Sequence, residues 1–392
     1  MNILFVTLCP LEANTSVSIS NLGLLKGFRD LDHNITIIMP DLDKNASYYD
    51  KNNDLSSYNI IRMTNNNLGQ KVATINSNSS GLEHKALMML RKIYLKLNLF
   101  DRSKDYINKA NELCIYDQFF DIVISTSDPK TSHLFIAKCI KNGLNYGKWI
   151  QHWGDPLSGD VSSQSVFPKW YIKRVEHNVI KKCDYSLYVS PFTAEEQKKN
   201  HKDLSEKIGF VPLVCDESYS INSECKNSKR EGKLTVAFLG DYSSHVRNIL
   251  PLYNACKNLD FITLIIAGNT DLSLQNTSNI RIYPRLKQSD AKAIENDADV
   301  VVSVGNLYGT QIPGKIYYLS ASKKVILVTL EEDKKEEMKK YLNSYNRFDI
   351  ADNTEESISD YLLRLKNRIN TDYNTPEILL PLNIAKKVIE LM

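Results

Sequence analysis

Val300-Val301-Val302-Ser303-Val304-Gly305-Asn306-Leu307-Tyr308-Gly309-Thr310-Gln311-Ile312-Pro313-Gly314-Lys315-Ile316-Tyr317-Tyr318-Leu319 is the stretch that decides the fold. Val300 to Val304 is a short β-branched run stopped by glycine, as expected of a strand buried on both faces of a parallel sheet. A glycine-containing loop follows, and Pro313-Gly314 then opens a helix with Lys315 in its first turn. Glycines allow close backbone approach to a phosphate, and a lysine at a helix start adds positive charge there.

The same strand-loop-helix unit recurs along the chain. In the first half, strands are predicted near Ile3–Leu8, Ile35–Met39, Ile122–Thr126, Lys148–His152, Ser186–Ser190 and Gly209–Val211. The second half repeats the series at Leu234–Leu239, Phe261–Ala267, Ile280–Tyr283, Val300–Val304 and Val325–Val328. Longer segments suited to helices separate them, which argues for doubly wound α/β units. Asp216 to Lys233 is rich in Ser, Asn, Glu and Lys, lacks apolar period, and is read as a linker. The expected organisation is a first Rossmann-like domain over 1–215, a linker over 216–233 and a second such domain over 234–392. A final helix over 376–392 is expected to return to the first domain.

At 392 residues the chain exceeds what one core usually covers. Hydrophobic residues make up 42% and charged residues 24%, ordinary for a globular protein. A net charge of +3 gives no reason to invoke nucleic acid. No apolar run approaches the roughly 18 residues that a membrane helix needs. The opening residues lack a basic, cleavable leader, and the seven cysteines include no C-x-x-C pair. These features predict a cytoplasmic protein with reduced thiols.

Several loops collect polar side chains where the first strand-helix connections fall, at strand ends that bind ligands in open α/β sheets. The loop from Thr7 through Ser16 to Ser20 is rich in hydroxyls and has no G-x-G-x-x-G fingerprint. Ser127, beside Asp128-Pro129 and ahead of Ser132-His133, occupies the corresponding place after another strand. Trp149 to Pro156 ends in His152, Gly154 and Asp155, a histidine and a carboxylate able to exchange protons or hold hydroxyls. After Leu239, Gly240 leads to Arg247, which is expected on a following helix where its guanidinium can grip a diphosphate. Asp41-Leu42-Asp43 and Asp297-Ala298-Asp299 match a metal-chelating D-x-D pattern, but such pairs at strand ends are usually solvated turns, and no metal is assigned. Lys85 to Lys109 interleaves basic and apolar residues and reads either as a peripheral contact with an anionic membrane face or as a basic surface helix.

In order and wording these segments resemble the GT-B glycosyltransferases, especially bacterial polysaccharide-assembly enzymes similar to glycosyltransferase family 4. The resemblance rests on Met1 to Pro10, on Trp149 to Pro156, on Glu176 with Asp184 to Ser190, and on Ile312 to Tyr317 with Lys324 and Ile326. It implies an α/β fold of two Rossmann-like domains facing across a cleft, and transfer of a sugar from a nucleotide-sugar donor to a glycan or lipid-linked acceptor. It also implies retention at the anomeric carbon and neither metal nor cofactor. The second domain would hold the donor through Arg247, Lys315, Gly240, Asn306, Gln311, Gly314, Tyr317 and Tyr318. The first would hold the acceptor through Thr7, Ser16 and Ser127, with His152 and Asp155 as catalytic groups. Two positions depart from the pattern: Tyr318 stands where relatives carry an acid for the donor's ribose, and Asp241 where many carry arginine. A nucleotide-sugar epimerase and a non-catalytic scaffold are the competing readings of the same fold.

Overall fold

In the computed structural model, the described residues are 1–46, 48–51, 53–64, 89, 96–100, 102–161, 163, 165–221, 233–331, 334–366 and 373–391. Residues 85–88, 90–95 and 101 of the basic segment 85–109, and most of the expected linker 216–233, lie outside them. By their contacts, Met1–Pro212 and the chain from Ala385 onward form one unit, and Leu213–Ile384 forms the other. Residues 213–221, assigned above to the first domain and the linker, therefore belong to the second unit. Cys215 N donates to Leu379 O at 2.8 Å and Asp216 N to Tyr318 O at 3.2 Å.

The first unit is a seven-stranded parallel sheet made of β1 (Asn2–Thr7), β2 (Asn34–Pro40), β3 (Asn59–Met63), β4 (Phe119–Thr126), β5 (Asn145–Trp153), β6 (Tyr185–Tyr188) and β7 (Ile208–Phe210). Its order is β3-β2-β1-β4-β5-β6-β7, so the chain winds outward in both directions from the β1–β4 pair. Connecting helices include α1 (Ser16–Arg29), α2 (Thr131–Lys141), α3 (Lys169–Ile180) and α4 (Pro191–Asn200). Thr15 caps α1 by accepting from Ser18 N, and Ser190 caps α4 by accepting from Thr193 N. One core cluster gathers Leu4, Val6, Val123, Phe135 and Trp149; another gathers Trp153, Ile172, Tyr188 and Leu204.

The second unit has six parallel strands: β8 (Leu234–Leu239), β9 (Ile262–Ala267), β10 (Ile280–Tyr283), β11 (Val300–Val304), β12 (Val325–Leu330) and β13 (Asp349–Asp352). Their order is β10-β9-β8-β11-β12-β13, with the reversal between β8 and β11. All five β11 residues are buried, as the valine run requires. The unit's helices include α5 (Leu250–Lys257), α6 (Gln288–Asp297), α7 (Gly314–Leu319), α8 (Lys335–Asn343) and α9 (Glu355–Lys366), and the chain ends in α10 (Pro381–Glu390).

Two strands depart from expectation by being present. β3 and β13 are sheet edges, only partly buried, and their mixed sequences Asn-Ile-Ile-Arg-Met and Asp-Ile-Ala-Asp carry no long apolar run. A second departure concerns Arg247, which precedes α5 rather than lying on it: the chain from Asp241 to Ile249 is a loop.

Fully buried Arg347 secures the end of α7. Its Nε donates to Ser320 O at 2.9 Å and one terminal nitrogen donates to Lys324 O at 3.0 Å and to Ser322 O. A guanidinium there satisfies carbonyls that the short helix leaves open. Arg347→Met keeps the volume and strands those carbonyls, so stability is expected to fall by about 2–4 kcal/mol. Urea unfolding of the two proteins measures it; an unchanged midpoint would show that these bonds do not hold the helix.

Candidate active site

Where a doubly wound sheet reverses direction, the two loops leaving adjacent strand ends part and open a crevice at the carboxyl edge. Each unit has one such point, at β1–β4 and at β8–β11.

In the second unit, β8 ends at Leu239 and β11 at Val304. Gly268 seats the neighbouring strand end against Gly240: a Cβ at Gly268 would lie 2.0 Å from Gly240 O. The Asp241–Ile249 loop is pinned along its length. Ser243 and Arg247 form a two-residue bridge, Ser244 N donates to Asp271 Oδ1 at 2.9 Å, Leu307 N donates to Val246 O at 2.8 Å, and Asn353 Nδ2 donates to Asn248 O at 2.9 Å. On this fixed loop Arg247 Nε donates to Asn306 Oδ1 at 3.1 Å, and Asn306 Nδ2 donates to Gln311 O at 3.1 Å. Three of the expected donor residues thus form one chain of hydrogen bonds from the β8 loop to the β11 loop.

Lys315 sits in the first turn of α7, and its ammonium donates to Leu239 O and pairs with Glu295 of α6. Glu295 is 3% exposed and also accepts from Tyr219 Oη at 2.5 Å. One hydrogen bond and one ion pair thus hold the Lys315 ammonium at the end of β8. A Cβ at Gly314 would lie 2.9 Å from the Tyr318 hydroxyl, so a larger residue there would make that side chain shift. Tyr317 is fully buried, with its hydroxyl 3.1 Å from that of Tyr341, and so faces the interior rather than the strand ends. Asp241 accepts from Asn269 N at 2.8 Å and pairs with Arg285 at 3.2 Å. The position expected to carry arginine therefore holds an acid that itself recruits one.

In the first unit, Asn21 of α1 spans the reversal, donating from Nδ2 to Thr7 Oγ1 at 3.3 Å and to Thr126 Oγ1 at 3.1 Å. Thr7 is fully buried, and its hydroxyl donates to Cys9 O, so it braces the loop. Ser16 is exposed at the start of α1. Ser127 links two strand ends: its N donates to His152 O at 2.9 Å and its Oγ accepts from Gly154 N at 3.0 Å. Beyond Gly154, the buried Glu176 carboxylate folds the loop by accepting from Leu157 N at 2.5 Å and Ser158 N at 3.3 Å.

His152 is 5% exposed, and its Nδ1 is buried without a hydrogen-bond partner among the described residues. Burial pushes its pKa down to about 4, so the ring is neutral at physiological pH and suits hydrogen bonding better than proton abstraction. His133 lies alongside: its Nδ1 is 2.8 Å from Ser125 Oγ, its ring packs 4.2 Å from Trp153, and burial and His152 hold its pKa well below the usual value. Lys130 bonds Asp128 at 2.9 Å and Asp160 at 2.8 Å. Burial alone would lower its pKa, but those two carboxylates and Asp155 raise it instead, so it stays charged. Asp155 thus stands beside a fixed ammonium. Asn21, Lys130, Asp160 and Glu295 were not singled out from sequence.

Comparison with family models and with curated sequences finds no match. Solved structures match over the whole chain. Anabaena HepE in complex with UDP and glucose is 11% identical, covers 100% of this chain and 98% of its own, and gives a TM-score of 0.59. The α,α-trehalose 6-phosphate synthase of Burkholderia multivorans is 8% identical over 100% and 97%, with a TM-score of 0.58. A glycosyltransferase from Rickettsia africae is 15% identical over 100% and 92%, with a TM-score of 0.52. At these identities the likeness is one of fold, and the chain carries the GT-B fold of two Rossmann-like units.

The buried imidazole has a consequence for stability. With a folded pKa near 4 against 6.5 when unfolded, the unfolded chain takes up the proton first as pH falls. The stability is fully present above 6.5 and is lost between 6.5 and about 4, by up to roughly 1.4 kcal/mol per pH unit. Melts across that window should show a shallower acid slope for His152→Gln than for the parent protein. Parallel slopes would remove His152 from the account.

Proposed function

We propose that this chain transfers a glycosyl group from a nucleoside-diphosphate sugar to a hydroxyl of a glycan or lipid-linked acceptor, in assembly of a bacterial surface polysaccharide. The observation that carries the reading is the cationic set at the β8–β11 reversal: Arg247, fixed by Asn306, and Lys315, fixed by Glu295. A guanidinium and an ammonium held at one sheet edge suit the two phosphates of a nucleoside diphosphate. The complex of HepE with UDP and glucose supports a donor of this class.

In the reaction, the bond between the anomeric carbon and the diphosphate oxygen breaks. A bond to the acceptor oxygen forms, and the acceptor's proton leaves. Arg247 and Lys315 neutralise charge developing on the departing diphosphate. That positive charge does the work a divalent ion would otherwise supply, so the reading assigns no metal. Retention at the anomeric carbon is carried by the family resemblance. On the acceptor side, neutral His152 orients the hydroxyl by hydrogen bonding, and Asp155 is the carboxylate available to receive its proton.

The test is diphosphate release from a panel of UDP-, GDP-, dTDP- and ADP-sugars, with and without lipid-extracted acceptor. Acceptor-dependent release from one donor is expected, falling about 100-fold or more in Arg247→Ala with the melting temperature unchanged. Sugar interconversion without acceptor would replace this reading by an epimerase. No turnover and no binding of any donor, with authentic acceptor present, would leave a scaffold.

A further inference from the structure

The outer side of α3 and the chain leading into it present an unusual surface. Trp170 is 67% exposed, Val166 58% and Tyr171 39%, while Leu97, at 59%, adjoins them because Val166 N donates to Lys96 O at 3.1 Å. The chain has three tryptophans, and the other two, Trp149 and Trp153, are fully buried. The inner side of α3 carries the buried Ile172, Glu176, Val179 and Ile180. Opposite them, Trp170, Arg174 and Lys181 recur at helical spacing along one stripe. Lys169 and Lys173 flank that stripe, the latter donating to Asn200 Oδ1 at 2.8 Å. From Val166 to Cys183 the one carboxylate is Glu176, wholly buried and turned inward onto loop amides. From outside the segment, Asp203 comes within 3.5 Å of His177.

We propose that this face of α3, with Val166 and Leu97, docks on an anionic lipid surface. Large apolar tips that protrude from a helix and are ringed by cations match an acyl boundary beneath phosphate headgroups. Tryptophan settles at such a boundary, while lysine and arginine reach the phosphates from flexible stems. The absence of exposed carboxylates from the segment keeps the face free of repulsion by anionic lipid. The inference stands on this surface alone and does not depend on the transferase reading.

Because Trp149 and Trp153 are buried away from lipid, a change in tryptophan emission on vesicle binding reports Trp170. The full chain is mixed with phosphatidylcholine vesicles, with and without about one-third phosphatidylglycerol, and followed by flotation and fluorescence. Co-flotation with the anionic vesicles is expected, weakened by high salt. Emission should shift to the blue and be quenched by brominated acyl chains. Trp170→Ser with Val166→Ser should weaken binding roughly tenfold or more, as should Arg174→Glu with Lys181→Glu, while melting curves stay unchanged because all four side chains are at the surface. No flotation, equal binding to neutral and anionic vesicles, unquenched emission in the bound state, or variants that bind like the parent would each overturn the proposal. A face meant for another protein would give the first of these results.

Discussion

A parallel sheet covered on both faces leaves its strand ends as the places where side chains of adjacent strands can meet a ligand. Every polar residue with chemistry to offer is therefore driven to an edge. Where the winding reverses, two loops part and leave room between them. Both units of this chain obey that constraint, and each gathers its buried polar network at its reversal. Asn21 ties Thr7 to Thr126 in one unit, while Asn306 ties Arg247 to the Gln311 carbonyl in the other. In both cases a short amide side chain bridges strands that leave the reversal in opposite directions.

The two edges differ in charge. In the second unit, cations face the strand ends and their partners fix them in place. Glu295, buried and bonded by Tyr219, holds the Lys315 ammonium at the Leu239 carbonyl. Such a carboxylate positions the cation and tempers its charge. In the first unit the buried cation Lys130 is balanced by Asp128 and Asp160 and influenced by Asp155, and His133 and His152 are kept neutral by burial. Under the proposed function, the first edge meets the acceptor's hydroxyls and the second meets the donor's phosphates.

Legibility in the sequence followed burial. The eleven inferred strands all exist: nine lie inside their sheets, covered by neighbours on both sides, and β7 and β10 are edges. β3 and β13 are the other two edges, and they escaped notice because their mixed sequences Asn-Ile-Ile-Arg-Met and Asp-Ile-Ala-Asp carry no long apolar run. Arg247 and Lys315 were visible through residue type and their place after predicted strands. Asn306 was named too, but its pairing with Arg247, 59 residues away, was not legible, and Glu295, 20 residues from Lys315, was missed, because no local pattern links such pairs. Asn21 did leave a trace: with Ser18 and Ser20 it puts polar groups on the buried side of α1, where an amphipathic helix would place leucines. Tyr317 shows the converse, since it lies two residues after Lys315 in α7 yet is buried in the core.

The account turns on where a nucleotide binds, and a crystal structure with a nucleoside diphosphate tests this most directly. The account predicts the diphosphate at the carboxyl edge between β8 and β11, within hydrogen-bond distance of Arg247 and Lys315. A diphosphate bound elsewhere, or one contacting neither residue, would contradict it.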